Sequence, residues 1–222
     1  MIESIMIVDS MTHEEVYQEL ARDRERMTRW WRHQLSDLKR PMLKRTAFPC
    51  HVWREYTSPR KIHYLFFSRI FDKRMKRILT GIAAIRRTSE GMTIYTNWLQ
   101  DQKIISPMVI IPHAWKRYAE RTGTDKAGID LVKHYFEHNP HGKDSHNQHV
   151  VGRSVRYNGE DHLSNCVTEG VLLGQERGDM FIVKTFITYN MCCGRQSEEF
   201  ESCKKLILTD REMYEQARQF YI

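Results

Sequence analysis

His113, Arg117 and Arg121 recur at intervals of four residues between Pro112 and Gly123. On a helix each such step turns the side chain by about 40°, so the three drift by only about 80° and share one side. An imidazole beside two guanidiniums is the set that phosphodiester cleavage asks for. The imidazole moves a proton near neutral pH, and the guanidiniums neutralise charge growing on phosphate oxygens. The competing reading is a surface helix whose arginines pair with Glu120 or other acids.

Two further groupings could do chemistry. His134 and His138 stand at i, i+4, and His141, His146 and His149 follow in a polar stretch. Imidazoles so spaced can hold zinc or another transition metal, but the glutamate of the HExxH metalloprotease pattern is absent. An exposed histidine-rich loop is the alternative, since no compact ligand set completes the site. Cys192 and Cys193 are adjacent, with Arg195 placed to lower a thiol pKa. No histidine lies close to them in sequence, and inert cysteine is the default. A glycine-rich phosphate loop, a G-x-S-x-G elbow and zinc-finger spacing are all missing.

Over residues 108–191 the His-x3-Arg-x3-Arg segment is followed by strand-like runs, Glu169-Gly-Val-Leu-Leu-Gly174 and Lys184-Thr-Phe-Ile-Thr188. This order resembles the barnase, colicin and RelE-like class of small toxin ribonucleases. The resemblance implies a helix packed on an antiparallel sheet and cleavage of RNA without a metal or other cofactor. Carried over by position, His113, Arg117 and Arg121 are the helical contributors, and Lys184 and Thr185 the strand contributors. His113 would act as base on a ribose 2′-hydroxyl while the arginines and Lys184 stabilise the transition state, leaving a cyclic phosphate. Glu169 and Tyr189 are both open as the second acid. The long N-terminal half departs from the compact toxins. The expectation is therefore a metal-independent ribonuclease-like protein, with RNA ahead of DNA as partner. A nucleic-acid-binding protein without catalysis and a metal protein built on the histidine cluster are the alternatives.

Those side chains need elements to position them. Thr12 and Glu15 read as a capping box, and Val16, Leu20, Met27, Trp31, Leu35 and Leu38 follow at helical spacing until Pro41. This predicts a helix over 12–40, within an N-terminal arm over 1–45 that precedes a core domain over 46–222, with one continuous domain as the alternative. Ile62, Tyr64, Phe66 and Ile70 alternate with Lys61, His63 and Arg69, and Met92, Ile94, Thr96 and Trp98 alternate with more polar neighbours, which predicts strands. Pro112 and Gly123 bound a helix over 113–121, and Asn139-Pro140 closes another over 126–138. Strand-like segments at 150–157, 166–175 and 180–189, parted by Asn158-Gly159 and Arg177-Gly178-Asp179, predict an antiparallel meander. A capping box at Thr209 and Glu212 opens a closing helix. The expected class is α+β: an antiparallel sheet packed by helices, with an N-terminal helical arm.

Composition bounds the rest. A 222-residue chain with 41% hydrophobic and 11% aromatic residues can bury a core without covalent staples. Its formal net charge of +7 favours anionic partners. Nine cations, Arg60, Lys61, Arg69, Lys73, Arg74, Lys76, Arg77, Arg86 and Arg87, face one acid, Asp72, between residues 60 and 87, so this stretch alone accounts for the net charge. Tyr64, Phe66, Phe67 and Phe71 lie among them, a mixture that suits phosphate contacts beside stacked bases, or else a solvated loop over a core. Five cysteines without CxxC spacing suggest no disulfide framework and a reducing, cytoplasmic setting. Glu3 and Asp9 break the N-terminal apolar stretch, so neither a signal segment nor a membrane span is expected.

Overall fold

In the computed structural model the chain forms two compact units, residues 1–107 with 221–222, and residues 108–220. The described residues are 7–76, 78–96, 99–100, 103–104, 108–139, 155–157, 160–178, 180–192, 197–198, 200–201 and 204–205. The expected closing helix from Thr209 lies outside them, as do Trp98 and the Asn158-Gly159 turn. Helices packed on mostly antiparallel strands make the class α+β.

The first unit is one long helix on a meander. Helix α1 (His13–Leu43) starts at the expected capping box: the Glu15 amide donates to the Thr12 hydroxyl at 3.2 Å, and the Thr12 amide donates to the Glu15 carboxylate at 2.8 Å. Pro41 does not stop it. Proline removes one amide donor, yet Leu38 and Met42 are buried in one cluster with Cys50, Val52 and Ile70, and that packing carries the chain past Pro41. Strands β1 (Cys50–Thr57), β2 (His63–Ile70), β3 (Ile78–Thr88) and β4 (Gly91–Thr96) pair antiparallel in sequence order. The two-residue strands β5 (Leu99–Gln100) and β6 (Lys103–Ile104) pair with each other.

The α1 residues Val16, Leu20, Met27 and Trp31 are buried, and Trp31 stacks on Phe66 of β2 with ring centroids 4.7 Å apart. Two acids are buried on the same helix. Glu19 accepts from Arg60 at 2.6 Å and from Arg22, and Asp23 accepts from the Tyr64 hydroxyl at 3.0 Å. The predicted arm is thus a layer of the first unit, because its apolar stripe and both acids find partners on β2 and the turn before it.

In the second unit β7 (Met108–Ile110) pairs in parallel with β11 (Met180–Thr188). Strand β11 then pairs antiparallel with β10 (Gly170–Arg177), β10 with β9 (Glu160–Val167), and β9 with β8 (Val155–Tyr157). Helices α2 (Pro112–Thr122) and α3 (Gly128–His138) follow β7, and a 3-10 turn (Tyr189–Met191) follows β11. The expected single strand over 166–175 is in fact two strands joined by the Thr168-Glu169 turn. Both sides of that turn are apolar, so periodicity alone did not reveal it.

Tyr118 of α2 meets Phe186 of β11 and Tyr135 of α3 edge-on at 5.1 and 5.3 Å, which locks both helices to the sheet. Gly174 is required by close approach, since a Cβ there would overlap the Ile182 carbonyl of β11. Among the described residues no helix is long and apolar enough to cross a membrane.

Candidate functional site

Helix α2 carries the first candidate group. Pro112 occupies its opening position and Gly123 closes it at φ 68°, a left-handed value that glycine adopts freely. Ala114, Trp115 and Tyr118 form the buried face. No side chain caps the helix at Ile111 and no acid lies in its first turn, so the positive end of the helix is left open. His113 is exposed in that first turn. One turn on, Arg117 reaches Glu120 at 2.9 Å with both side chains substantially exposed. Arg121 has drifted toward the sheet and donates to the Phe186 carbonyl of β11. The spacing therefore puts His113 and Arg117 at the surface and turns Arg121 into a helix-to-strand tie.

Lys184 and Thr185 do not join them. On β11, Thr185 opposes Leu173 and Val183 opposes Gly174, so Lys184 is the extra residue of a β-bulge. Leu173 packs with Val171, Cys166 and Phe200, and its partner Thr185 shares that face. Phe186, the next residue, points to the other face against Tyr118. Lys184 donates to Gln175, two residues on from Leu173 along β10. Both strand contributors thus lie across the sheet from α2.

A polar cluster that the spacing did not reveal occupies the α2–α3 side. Glu169, in the turn between β9 and β10, accepts a short hydrogen bond from the Tyr118 hydroxyl and a 3.3 Å bond from the Asn139 side-chain amide. Asn139 also accepts from the Thr168 amide at 2.7 Å, and the Thr168 hydroxyl donates to the His138 carbonyl at 2.8 Å, tying the end of α3 to this turn. His134 Nδ1 lies 3.3 Å from the Tyr118 oxygen, and the His134 and His138 rings stack with centroids 4.0 Å apart. Burial, then the hydrogen bond and charge of Glu169, push the Tyr118 hydroxyl far above its ordinary pKa, so it is a neutral donor. Burial first, and then the neighbouring His138, lower the His134 pKa. Tyr189, the other open choice of acid, is committed to the Val167 carbonyl at 2.6 Å. In the sequence this cluster was signalled by the i, i+4 histidine pair and by Glu169 as a possible acid; nothing in the spacing marked Tyr118 or Asn139.

In the first unit the basic stretch is not one surface. Arg60 is bound to Glu19, and Arg86, itself buried, donates to the Val8 and Asp9 carbonyls at 2.9 and 2.7 Å. Arg69 is buried and lies 5.6 Å from the Phe71 ring centre. Lys61 and Arg87 are exposed at one end of the β2–β3 pair, while Lys73, Arg74 and Lys76 are exposed in the turn at the other. Eight residues of β2 separate the ends, roughly 25 Å at the usual rise per strand residue. The Asp72 carboxylate holds that turn by accepting from the Arg74 and Lys76 amides at 2.9 and 3.3 Å. Tyr64, Phe66 and Phe67 are buried, so they offer no face to a base. Arg77 lies outside the described residues.

His141, His146, His149, Cys193, Arg195 and Cys203 also lie outside them. Among the described residues no three His, Cys, Asp or Glu side chains gather as a metal site, and Cys50 is a buried free thiol. Compared with known protein families, curated proteins and solved structures, the chain matches none.

Proposed function

We propose that the second unit is a metal-independent, ribonuclease-like module acting on RNA phosphodiester bonds, with His113 as its base and Arg117 as its phosphate contact. The observation that carries this reading is the open, uncapped start of α2 with the exposed His113 in its first turn. The positive end of a helix attracts a phosphate oxygen, and an imidazole there is placed to remove a nearby proton. His113 takes the proton of a ribose 2′-hydroxyl, the oxygen attacks phosphorus to form a cyclic phosphate, the P–O5′ bond breaks with the 5′-oxygen taking a proton from water, and protonated His113 returns its proton to the hydroxide left behind. Arg117, whose present partner Glu120 is a surface acid, exchanges that pair for the phosphate. Arg121 positions α2 against β11, and Lys184 and Thr185 stand outside the reaction.

The test is cleavage of single-stranded RNA in excess chelator. His113→Ala should lower cleavage by about 100-fold or more while leaving RNA affinity nearly unchanged, since proton transfer belongs to the transition state. Arg117→Ala should weaken both, and Lys184→Ala neither. Full activity in His113→Ala, or loss of wild-type activity with chelator, would end this reading. A second reading, RNA binding without catalysis, is favoured by the Asp72-braced turn that presents Lys73, Arg74 and Lys76 to solvent. It predicts salt-sensitive RNA affinity and no cleavage under any condition.

A further inference from the structure

The long faces of α1 meet different surroundings. Val16, Leu20, Met27, Trp31, Leu38 and Met42 are buried, whereas Arg22, Arg26, Arg29, His33 and Arg40 are exposed. At about 100° per residue the exposed residues fall within roughly 60° of arc, and Arg22 and Arg40 stand about 27 Å apart along the axis. Arg32 and Lys39, also exposed, flank this stripe on one side. Two exposed acids lie nearby, Glu25 and Asp37, and His33 holds Asp37 at 3.1 Å. Arg22 is bound to the buried Glu19. Arg26, Arg29, Arg32, Lys39 and Arg40 have no carboxylate partner among the described residues. A solvated helix face is usually laced by opposite charges at i, i+4. Here Arg22 and Arg26, Arg26 and Arg29, and Arg29 and Arg32 are like charges one turn apart, an arrangement that opposes the helix. Packing of the other face holds it, with Trp31 stacked on Phe66 of β2.

We propose that this outward stripe of α1 binds the phosphate backbone of single-stranded RNA. Cations at steps of three and four residues are about 5–6 Å apart along the axis, comparable to the separation of successive phosphates on a strand. Side chains without carboxylate partners give up no ion pair when phosphate arrives, and each contact releases counterions from the polymer. Guanidiniums suit the role, because they stay charged and donate a fork of hydrogen bonds to phosphate oxygens. Membrane-surface helices sink an apolar face into lipid, but the apolar face of α1 is buried and none of the stripe residues is apolar. Phosphate contacts position a strand without reading its bases, so binding is independent of sequence. RNA as the polymer rests on the reading of the second unit, whereas the phosphate contact rests on α1 alone and goes beyond that reading.

Full-length protein should be titrated against labelled, fully 2′-O-methylated single-stranded RNA and followed by fluorescence anisotropy at several salt concentrations. That RNA has no 2′-hydroxyl to attack, so the outcome is separate from whether His113 supports cleavage. The variant combines Arg26→Gln, Arg29→Gln and Arg40→Gln, which keep helix propensity at exposed positions. Three lost phosphate contacts should reduce the slope of log affinity against log salt by about 2, and weaken binding by about 100-fold near roughly 0.1 M salt. Removing the same charge elsewhere, by Lys126→Gln, Arg177→Gln and Lys184→Gln at exposed positions, should leave the slope within about 0.5 of the wild type. Circular dichroism checks that both variants fold; if the first does not, Arg32→Gln with Lys39→Gln on the flank should reduce the slope by about 1. An unchanged slope and affinity in the folded α1 variant overturns the proposal. An equal fall in the control variant does so too, since net charge would then be the cause. Vesicles of phosphatidylserine and phosphatidylcholine are titrated alongside, and vesicle binding lost in the α1 variant with RNA affinity intact would assign the stripe to a lipid surface instead.

Discussion

Arg60→Ala is expected to destabilise the first unit rather than to weaken RNA binding. The Glu19 side chain is 3% exposed and is held by Arg60, 18% exposed, and by Arg22, 55% exposed. Removing one partner of a buried ion pair costs roughly 3–5 kcal/mol, because the remaining charge stays desolvated. Arg22 remains, but a pair with so exposed a partner returns at most about 1 kcal/mol. The net cost is then about 2–4 kcal/mol. At roughly 4 °C per kcal/mol for a unit of this size, the Tm should fall by about 8–16 °C. Differential scanning calorimetry reads this directly, and replacing Glu19 as well, as Glu19→Gln/Arg60→Met, should recover part of the loss. A Tm within about 2 °C of the wild type, together with weaker RNA binding, would refute the assignment of Arg60 to the α1 layer.

Reversing Lys73, Arg74 and Lys76 to Glu should lower RNA affinity and flatten its salt dependence, measured by fluorescence anisotropy at several ionic strengths; unchanged slopes would make that turn merely solubilising. Gly174→Ala should cost at least about 2 kcal/mol in chemical denaturation, because its Cβ meets the Ile182 carbonyl, whereas Gly178→Ala, at φ 58° in open space, should cost only about 1 kcal/mol. Burial raises the pKa of Tyr64, Tyr118 and Tyr135 in the folded protein, so these groups keep protons that the unfolded chain releases above about pH 10. Their contribution is therefore complete below about pH 10 and fades as pH rises, and absorbance titration should show them ionising only with unfolding. Smooth, reversible ionisation of every tyrosine near pH 10 would contradict their burial.

Sequence by itself determined several of the elements. A capping box starts α1, Pro112 and Gly123 bound α2, and the alternation along Ile62–Ile70 marks β2, because caps, turns and periodicity act within a few residues. It also marked the i, i+4 pairs on α2 and α3, since one helical turn fixes their spacing. Tertiary structure alone decided which of those groups meet. A one-residue bulge turns Lys184 to the face away from α2, where Thr185 already stands by alternation with Phe186, and no local pattern announces a change of register. Arg60 and Arg86 look like partners for phosphate in a linear charge count, yet they satisfy Glu19 and the Val8 and Asp9 carbonyls, groups 41, 78 and 77 residues away. Glu169 reaches Tyr118 across 51 residues because an unforeseen turn lifts it there. A charge or hydroxyl takes its role from whatever desolvated partner the fold brings to it, and that partner is set by packing of the whole unit rather than by neighbours along the chain.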